Sequence, residues 1–252
     1  MQDITMFSLP HVALAVLLTG APAAGSGDGP GTGHRKTDDA AGSVSPTSQA
    51  LGRPAGKEIA PSRLEEARSS LPLPLLYGTM SLKEGQYVDY EVKGPRGKTR
   101  VRAAAVGRAL RDNVPVQQVE FEFFDLGRRA LVVLWITESQ PVLLDRVAAW
   151  APPHTPVSVP IDLPVDDPQL RGVQASSEAV KVTGAFAGQA RRVVFSLESK
   201  ERVEATLSEQ VPLFGVLSVQ RGDERWTAVA SGTGAKRALT RVPLAMPRAQ
   251  EL

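Results

Sequence analysis

The sequence predicts a mainly β protein: a single curved antiparallel sheet preceded by a short N-terminal helix. Runs of alternating apolar and polar residues recur between Tyr87 and Ala230, the period-two signature of strands with one buried face. Clusters of Gly, Pro, Asp and Asn separate these runs at hairpin spacing. Over the same interval no apolar stripe of helical period is sustained. The count comes to about eight to ten strands, and runs at such spacing form antiparallel sheets.

The chain opens with an apolar run, Val12 to Leu18, followed by Ala21-Pro22-Ala23-Ala24. That pattern predicts a secretory leader over residues 1–23 with cleavage after Ala23, although no Lys or Arg precedes the run. The run is too short to span a bilayer, which takes about 20 apolar residues. Residues 24–61 are dense in Gly, Ser, Pro, Thr and Ala, and Val44, Leu51 and Ile59 are their only large aliphatics. Such a segment buries too little apolar surface to offset its ordering entropy, so a disordered linker is expected. The folded domain is expected over 62–240 and a flexible tail over 241–252.

Ser62-Arg63-Leu64-Glu65 matches a capping box and starts a helix of about two turns. Leu64, Ala67 and Leu71 form its thin apolar stripe, and Pro72 and Pro74 are expected to stop it. The first strand follows, with Val88, Tyr90 and Val92 alternating with Asp89 and Glu91. A turn over Gly94–Gly97 leads to Val101, Ala103 and Ala105, which alternate with Arg100 and Arg102, and the two runs make a hairpin. Residues 107–115 read as a polar loop. Val119, Phe121 and Phe123 then alternate with Gln118, Glu120 and Glu122. Residues 130–136 are apolar throughout, which fits a central strand buried on both faces or one wall of a ligand-filled concavity.

Val142 to Trp150 alternates only in part. The four prolines Pro156, Pro160, Pro164 and Pro168 place that segment at a sheet edge or in a loop crossing the sheet. Glu178–Val182 and Ala190–Leu197 read as strands. Val203, Ala205 and Leu207 form another, hinged at Val211-Pro212-Leu213-Phe214-Gly215 to Val216, Leu217 and Val219. After a turn at Arg221-Gly222-Asp223, Trp226, Ala228 and Ala230 close the pattern. Beyond Ala235 little pattern remains, and the tail is expected to fray.

Chemistry-bearing constellations are sparse. Lys and Arg total 29 against 27 Asp and Glu, a net charge of +2, with no basic run of the kind that grips phosphates, so a nucleic-acid partner is not expected. The absence of cysteine excludes disulfides, thiolate metal sites, a Cys nucleophile and a lipid-modified Cys. His154 is the single histidine of the domain and has no Gly-x-Ser-x-Gly companion. Asp166 and Asp167 are adjacent, so in extended chain they point apart and converge poorly on one metal or proton. Gly232-Thr233-Gly234-Ala235-Lys236 lacks the spacing of a phosphate loop. Glu198-Ser199-Lys200-Glu201-Arg202 reads as a charged hairpin turn. No catalytic residue, metal site, cofactor or integral membrane span is expected.

Three segments carry a family likeness: Glu178-Ala179-Val180-Lys181-Val182-Thr183-Gly184-Ala185-Phe186, Ser208-Glu209-Gln210-Val211-Pro212-Leu213-Phe214-Gly215-Val216, and Gly85-Gln86-Tyr87-Val88-Asp89-Tyr90-Glu91-Val92. In order and spacing they resemble strand and turn segments of the bacterial periplasmic lipoprotein carriers (LolA/LolB-like), over about Gly85 to Ala230. Val182-Thr183 stands where those proteins have Pro-Ala, and Thr206 where they have Trp. The resemblance implies a half-open barrel whose concave face holds an acyl chain or a plug helix. Tyr90, Phe121, Phe123, Trp135, Phe195, Leu207 and Phe214 are then the candidate ligand-binding residues, with Val101 and Val119 beside them. The expected function is an exported envelope binding module for a lipid or an acylated protein. The alternative is a non-catalytic structural or interaction protein whose core those same residues fill.

Overall fold

The computed structural model describes residues 61–95, 97–111, 113–125, 128–138 and 142–248. The expected leader and the linker up to residue 60 lie outside the described residues, while Pro61, expected to end the linker, already opens the first helix. Two helices come first, α1 (Pro61–Ser70) and α2 (Leu73–Tyr77). Six strands follow: β1 (Tyr87–Gly94), β2 (Gly97–Arg111), β3 (Val114–Asp125), β4 (Arg128–Thr137), β5 (Leu143–Trp150) and β6 (Val157–Pro164). After the short α3 (Pro168–Arg171) come β7 (Val173–Val182), β8 (Gly188–Ser196), β9 (Arg202–Leu207), β10 (Val216–Arg221), β11 (Glu224–Gly232) and β12 (Leu244–Ala245).

All the strands join one open sheet in the order β12-β6-β5-β4-β3-β2-β1-β11-β10-β9-β8-β7. Every pairing is antiparallel except β12 with β6, which is parallel. The chain therefore runs as two meanders, β1–β6 and β7–β11, stitched where β1 pairs with β11. Twelve strands exceed the eight to ten expected, and two sources account for the difference. Leu143–Trp150 and the proline-bearing Val157–Pro164 both pair, with a register shift between Leu144 and Arg146, and the tail adds β12.

Residues 107–115 are not a loop. β2 continues to Arg111 and β3 begins at Val114, with a register shift between Ala105 and Gly107. This part of the hairpin projects past the core, leaving Leu110 and Val114 exposed. Only Ala109 there packs on the outer apolar cluster and Arg108 pairs with Glu138, so little alternation is left to read. The prolines after α1 also act differently from expectation. They end α1, but Pro72 is the residue before α2 and Pro74 lies in its first turn, where a missing N–H costs nothing. All five residues of α2 are buried.

The sheet is apolar on its core face and, over β3–β5, on part of its outer face too. On the core face, Val88, Tyr90, Val101, Ala103, Val119, Phe121, Leu134, Ile136, Val193, Phe195, Val203, Phe214, Val219 and Trp226 form one cluster with Leu64 of α1, Leu73, Leu75, Leu76 and Tyr77 of α2, and Leu170 of α3. On the outer face a smaller cluster joins Val116, Leu131, Val133, Trp135 and Ala148 to Leu239. β4 is thus a central strand buried on both sides, which resolves the two readings of its apolar run.

The chain after β11, expected to fray, lies across that outer face. Glu120 accepts hydrogen bonds from the backbone N–H of Ala238 at 2.6 Å and of Leu239 at 3.2 Å. Further on, Leu244–Ala245 pairs with β6, Arg146 donates to the Met246 carbonyl at 2.9 Å, and Arg248 reaches Asp145 and Asp162. The strap is fixed mainly by polar contacts, and these leave no hydrophobic period in the sequence.

Candidate functional site

Six of the seven candidate residues converge on the core face. Tyr90, Phe121 and Phe214 are fully buried, Phe123 and Phe195 nearly so, and Leu207 is packed against the cluster at its margin. Trp135 is the exception, a correction to the expected set. It stands on the outer face opposite Gln118, out of phase with Leu134 and Ile136. In a strand apolar at every position, alternation gives no phase.

The aromatic side chains pack on one another in the cluster. Phe121 stacks on Phe214 with centroids 5.7 Å apart and 17° between the planes. Trp226 takes edge contacts from Tyr90, Phe121 and Phe123 at 5.7, 6.3 and 6.5 Å. Tyr77 of α2 lies 5.2 Å from Phe195. Trp226 and Tyr77 belong to the site yet were absent from the candidate set. Trp226 was legible as the inward residue of its alternating run; Tyr77 sits in a helix too short to show a period. Burial raises the Tyr90 phenol well above its usual range, and its hydroxyl donates to the Val216 carbonyl at 3.3 Å.

The hinge between β9 and β10 closes one end of this face. Leu213 and Gly215 both adopt positive φ, 68° and 65°. The turn presents its carbonyls to the chain leaving α2: Thr79 N–H donates to Phe214 O and Ser81 N–H to Leu213 O, each at 2.7 Å. The close approach requires Gly78, because a Cβ there would lie 2.3 Å from Phe214 O and 2.6 Å from Pro74 O.

Arginines lock the helices in place. Arg171 donates to the carbonyls of Leu76 and Gly78 at the end of α2, where backbone acceptors lack helical partners. Its burial lowers the guanidinium pKa, and the Asp166 charge opposes that. Arg68 donates to the carbonyls of Leu170, at 3.0 Å, and Gln169, tying α1 to α3. Arg221 on β10 holds Glu65 of α1 and Glu201 of the β8–β9 turn together. Glu201 is therefore a bridging residue as well as part of a charged turn.

Asp167 and His154, the other chemistry-bearing candidates, take part in local structure. Asp167 caps α3 by accepting from Gln169 N–H at 2.8 Å. His154 lies in an exposed turn, where its carbonyl accepts from Trp150 Nε1 at 2.8 Å. Among the described residues no three His, Cys, Asp or Glu side chains gather as a metal site, and no helix is long and apolar enough to cross a membrane. Two polar clefts lie on the outer face. One of about 250 Å³ sits under the strap, lined by Arg102, Glu120, Glu122, Arg129, Lys236 and Arg237. The other, about 290 Å³, lies over β8–β11 between Arg192, Glu204, Gln220 and Arg225.

No protein-family model matches the chain, and no curated protein matches it by sequence.

Proposed function

We propose that the protein is a non-catalytic interaction module of the cell envelope, a half-open barrel whose concave face is kept filled by its own N-terminal helices. The observation that carries this reading is the burial of Tyr90, Phe121, Phe195 and Phe214 in one cluster with Leu73, Leu75, Leu76 and Tyr77. Fully burying a side chain of this kind contributes about 1.5–3 kcal/mol, so lifting four of them out of the face costs on the order of 6–12 kcal/mol. That matches the entire stability of a typical domain, about 5–15 kcal/mol. An occupant so costly to remove behaves as core. Envelope location rests on the Val12–Leu18 run and Ala21-Pro22-Ala23.

One observation favours the carrier reading as the second choice. The filling segment is a contiguous apolar piece, Leu73–Tyr77, outside the sheet, and a ligand burying equal apolar surface would offset its displacement. The purified protein should carry no stoichiometric lipid on organic extraction and should not bind a fluorescent fatty-acid probe saturably. Stoichiometric lipid, or saturable probe binding lost in Phe214→Ala, would overturn the first reading in favour of the second.

A further inference from the structure

We propose that the free edge of β7 is a docking site for an extended acidic segment of a partner protein, which joins the sheet as an additional strand. The inference rests on the interaction-module reading and states where that interaction takes place.

The two ends of the sheet are built differently. At one end β6 carries Pro160 and Pro164 and follows Pro156, each lacking an N–H to offer, and β12 covers part of it. At the other end β7 pairs with β8 on one side, and no strand pairs with its other side among the described residues. Val173 to Ala179 are exposed without interruption. Exposed edges are normally blunted by prolines, inward charges, bulges or short length. β7 has ten residues and no proline; its one register shift lies near the start, between Gln174 and Ser176, and its one lysine, Lys181, near the other end, so the stretch between them carries neither. From Ser176 to Val182 the pairing is regular, and Ser176, Ser177 and Ala179 leave room for another backbone. Unpaired N–H and C=O groups along such a run supply affinity for any extended chain.

Charge supplies the selection. Residues 173–196, the β7–β8 hairpin, hold three cations, Lys181, Arg191 and Arg192, and one carboxylate, Glu178. Glu178 pairs with Arg192 at 3.0 Å on the outer face. Lys181 and Arg191 share the opposite face as diagonal neighbours, since Lys181 stands across from Gln189 and Arg191 from Ala179. Both are exposed, and neither has a carboxylate partner among the described residues. An incoming strand with acidic side chains on that face meets both cations. A second copy of this chain fits poorly, because its β7 brings no carboxylate to the Lys181–Arg191 face: its one carboxylate, Glu178, lies on the other face against Arg192.

The test uses the full chain and two synthetic peptides, one alternating Glu with Val and Thr, the other with Lys in place of Glu. Amide hydrogen exchange along Val173–Val182, fluorescence anisotropy and sedimentation are the readouts. The acidic peptide should bind, slow exchange in β7 and leave the protein monomeric; the Lys peptide should bind roughly tenfold more weakly or less. The double variant Lys181→Glu/Arg191→Glu, changed only at exposed positions and checked for an unaltered circular dichroism spectrum, should reverse that preference. Failure of both peptides to slow β7 exchange overturns the proposal. So does protection of β7 in the peptide-free monomer, which would mean the edge is occupied in cis, or in a dimer, which would make a second copy the occupant. Saturable binding of a fatty-acid probe would instead sink the interaction-module reading, with β7 exchange unchanged.

Discussion

Phe214 shows how far single residues could be read from the sequence. Its place between Pro212 and Gly215 marks a bend, and the structure buries its ring against Phe121 at the closed end of the core face. Phe214→Ala should cost about 3–5 kcal/mol through lost transfer energy plus a cavity. Urea unfolding measures this, and a loss below about 1 kcal/mol would mean that the ring's space is already open. Phe121 was equally legible, because Glu120 and Glu122 mark the opposite face. Trp135 was not, since its neighbours are all apolar. Glu120 is the opposite case. Its alternating position assigns it to solvent, yet the strap covers it to 2 % exposure and its carboxylate takes two successive backbone donors. Glu120→Ala should leave those N–H groups unpaired at about 1–3 kcal/mol each, seen as fast exchange at Ala238 and Leu239.

At the scale of elements, strands with one solvated face were read correctly because alternation records a single buried side. What escaped was held by other forces. α2 is buried all round and only five residues long, so it has neither stripe nor length to betray it. Its C-terminal end depends on Arg171, and Arg171→Met should destabilise the fold by about 2–3 kcal/mol by withdrawing a charged donor from two carbonyls. The loss should appear as faster exchange in α2 than in β4. The α1 contact is ionic and pH-dependent. Burial raises the Glu65 carboxyl, but hydrogen bonds and charge from Arg221, then Arg68, outweigh it and hold the pKa below the ordinary 4.5. A carboxyl depressed in the folded state adds stability above its unfolded pKa, and that stability is lost as pH falls through the folded value. The Glu65 contribution should therefore fade on acidification below 4.5. Because its side chain is 52 % exposed, Glu65→Gln should remove less than about 1 kcal/mol of that acid sensitivity. Unfolding curves of both proteins between neutral pH and about 3 would show it.

Across the whole molecule, β4 binds two layers together. Its core-facing Leu134 and Ile136 belong to the cluster of the helices, and its outer Leu131, Val133 and Trp135 to the cluster under the strap. Exposing one side of β4 by unfolding exposes the other, so the sheet and α2 should melt together. Trp226 reports on the core face and Trp135 on the outer face. With Trp150→Phe as background, single-tryptophan variants that keep one or the other should each show a fluorescence midpoint that coincides with the same variant's loss of β-sheet circular dichroism. The strap is a different unit. It contributes one buried large side chain, Leu239, along with backbone bonds to Glu120, a two-residue pairing and the ion pairs of Arg248. Leu239 is worth about 1.5–3 kcal/mol and each hydrogen bond only about 0.5–1.5 kcal/mol net, and none of these contacts reaches the helix-side core, so the strap should open without the sheet. Amides of Ala238 and Leu239 should exchange with a lower opening free energy than those of β4, and with little dependence on urea, as small openings expose little surface. If the strap amides and the β4 amides exchanged with the same free energy and the same urea dependence, the strap would be part of the single cooperative core rather than a cover over its outer face.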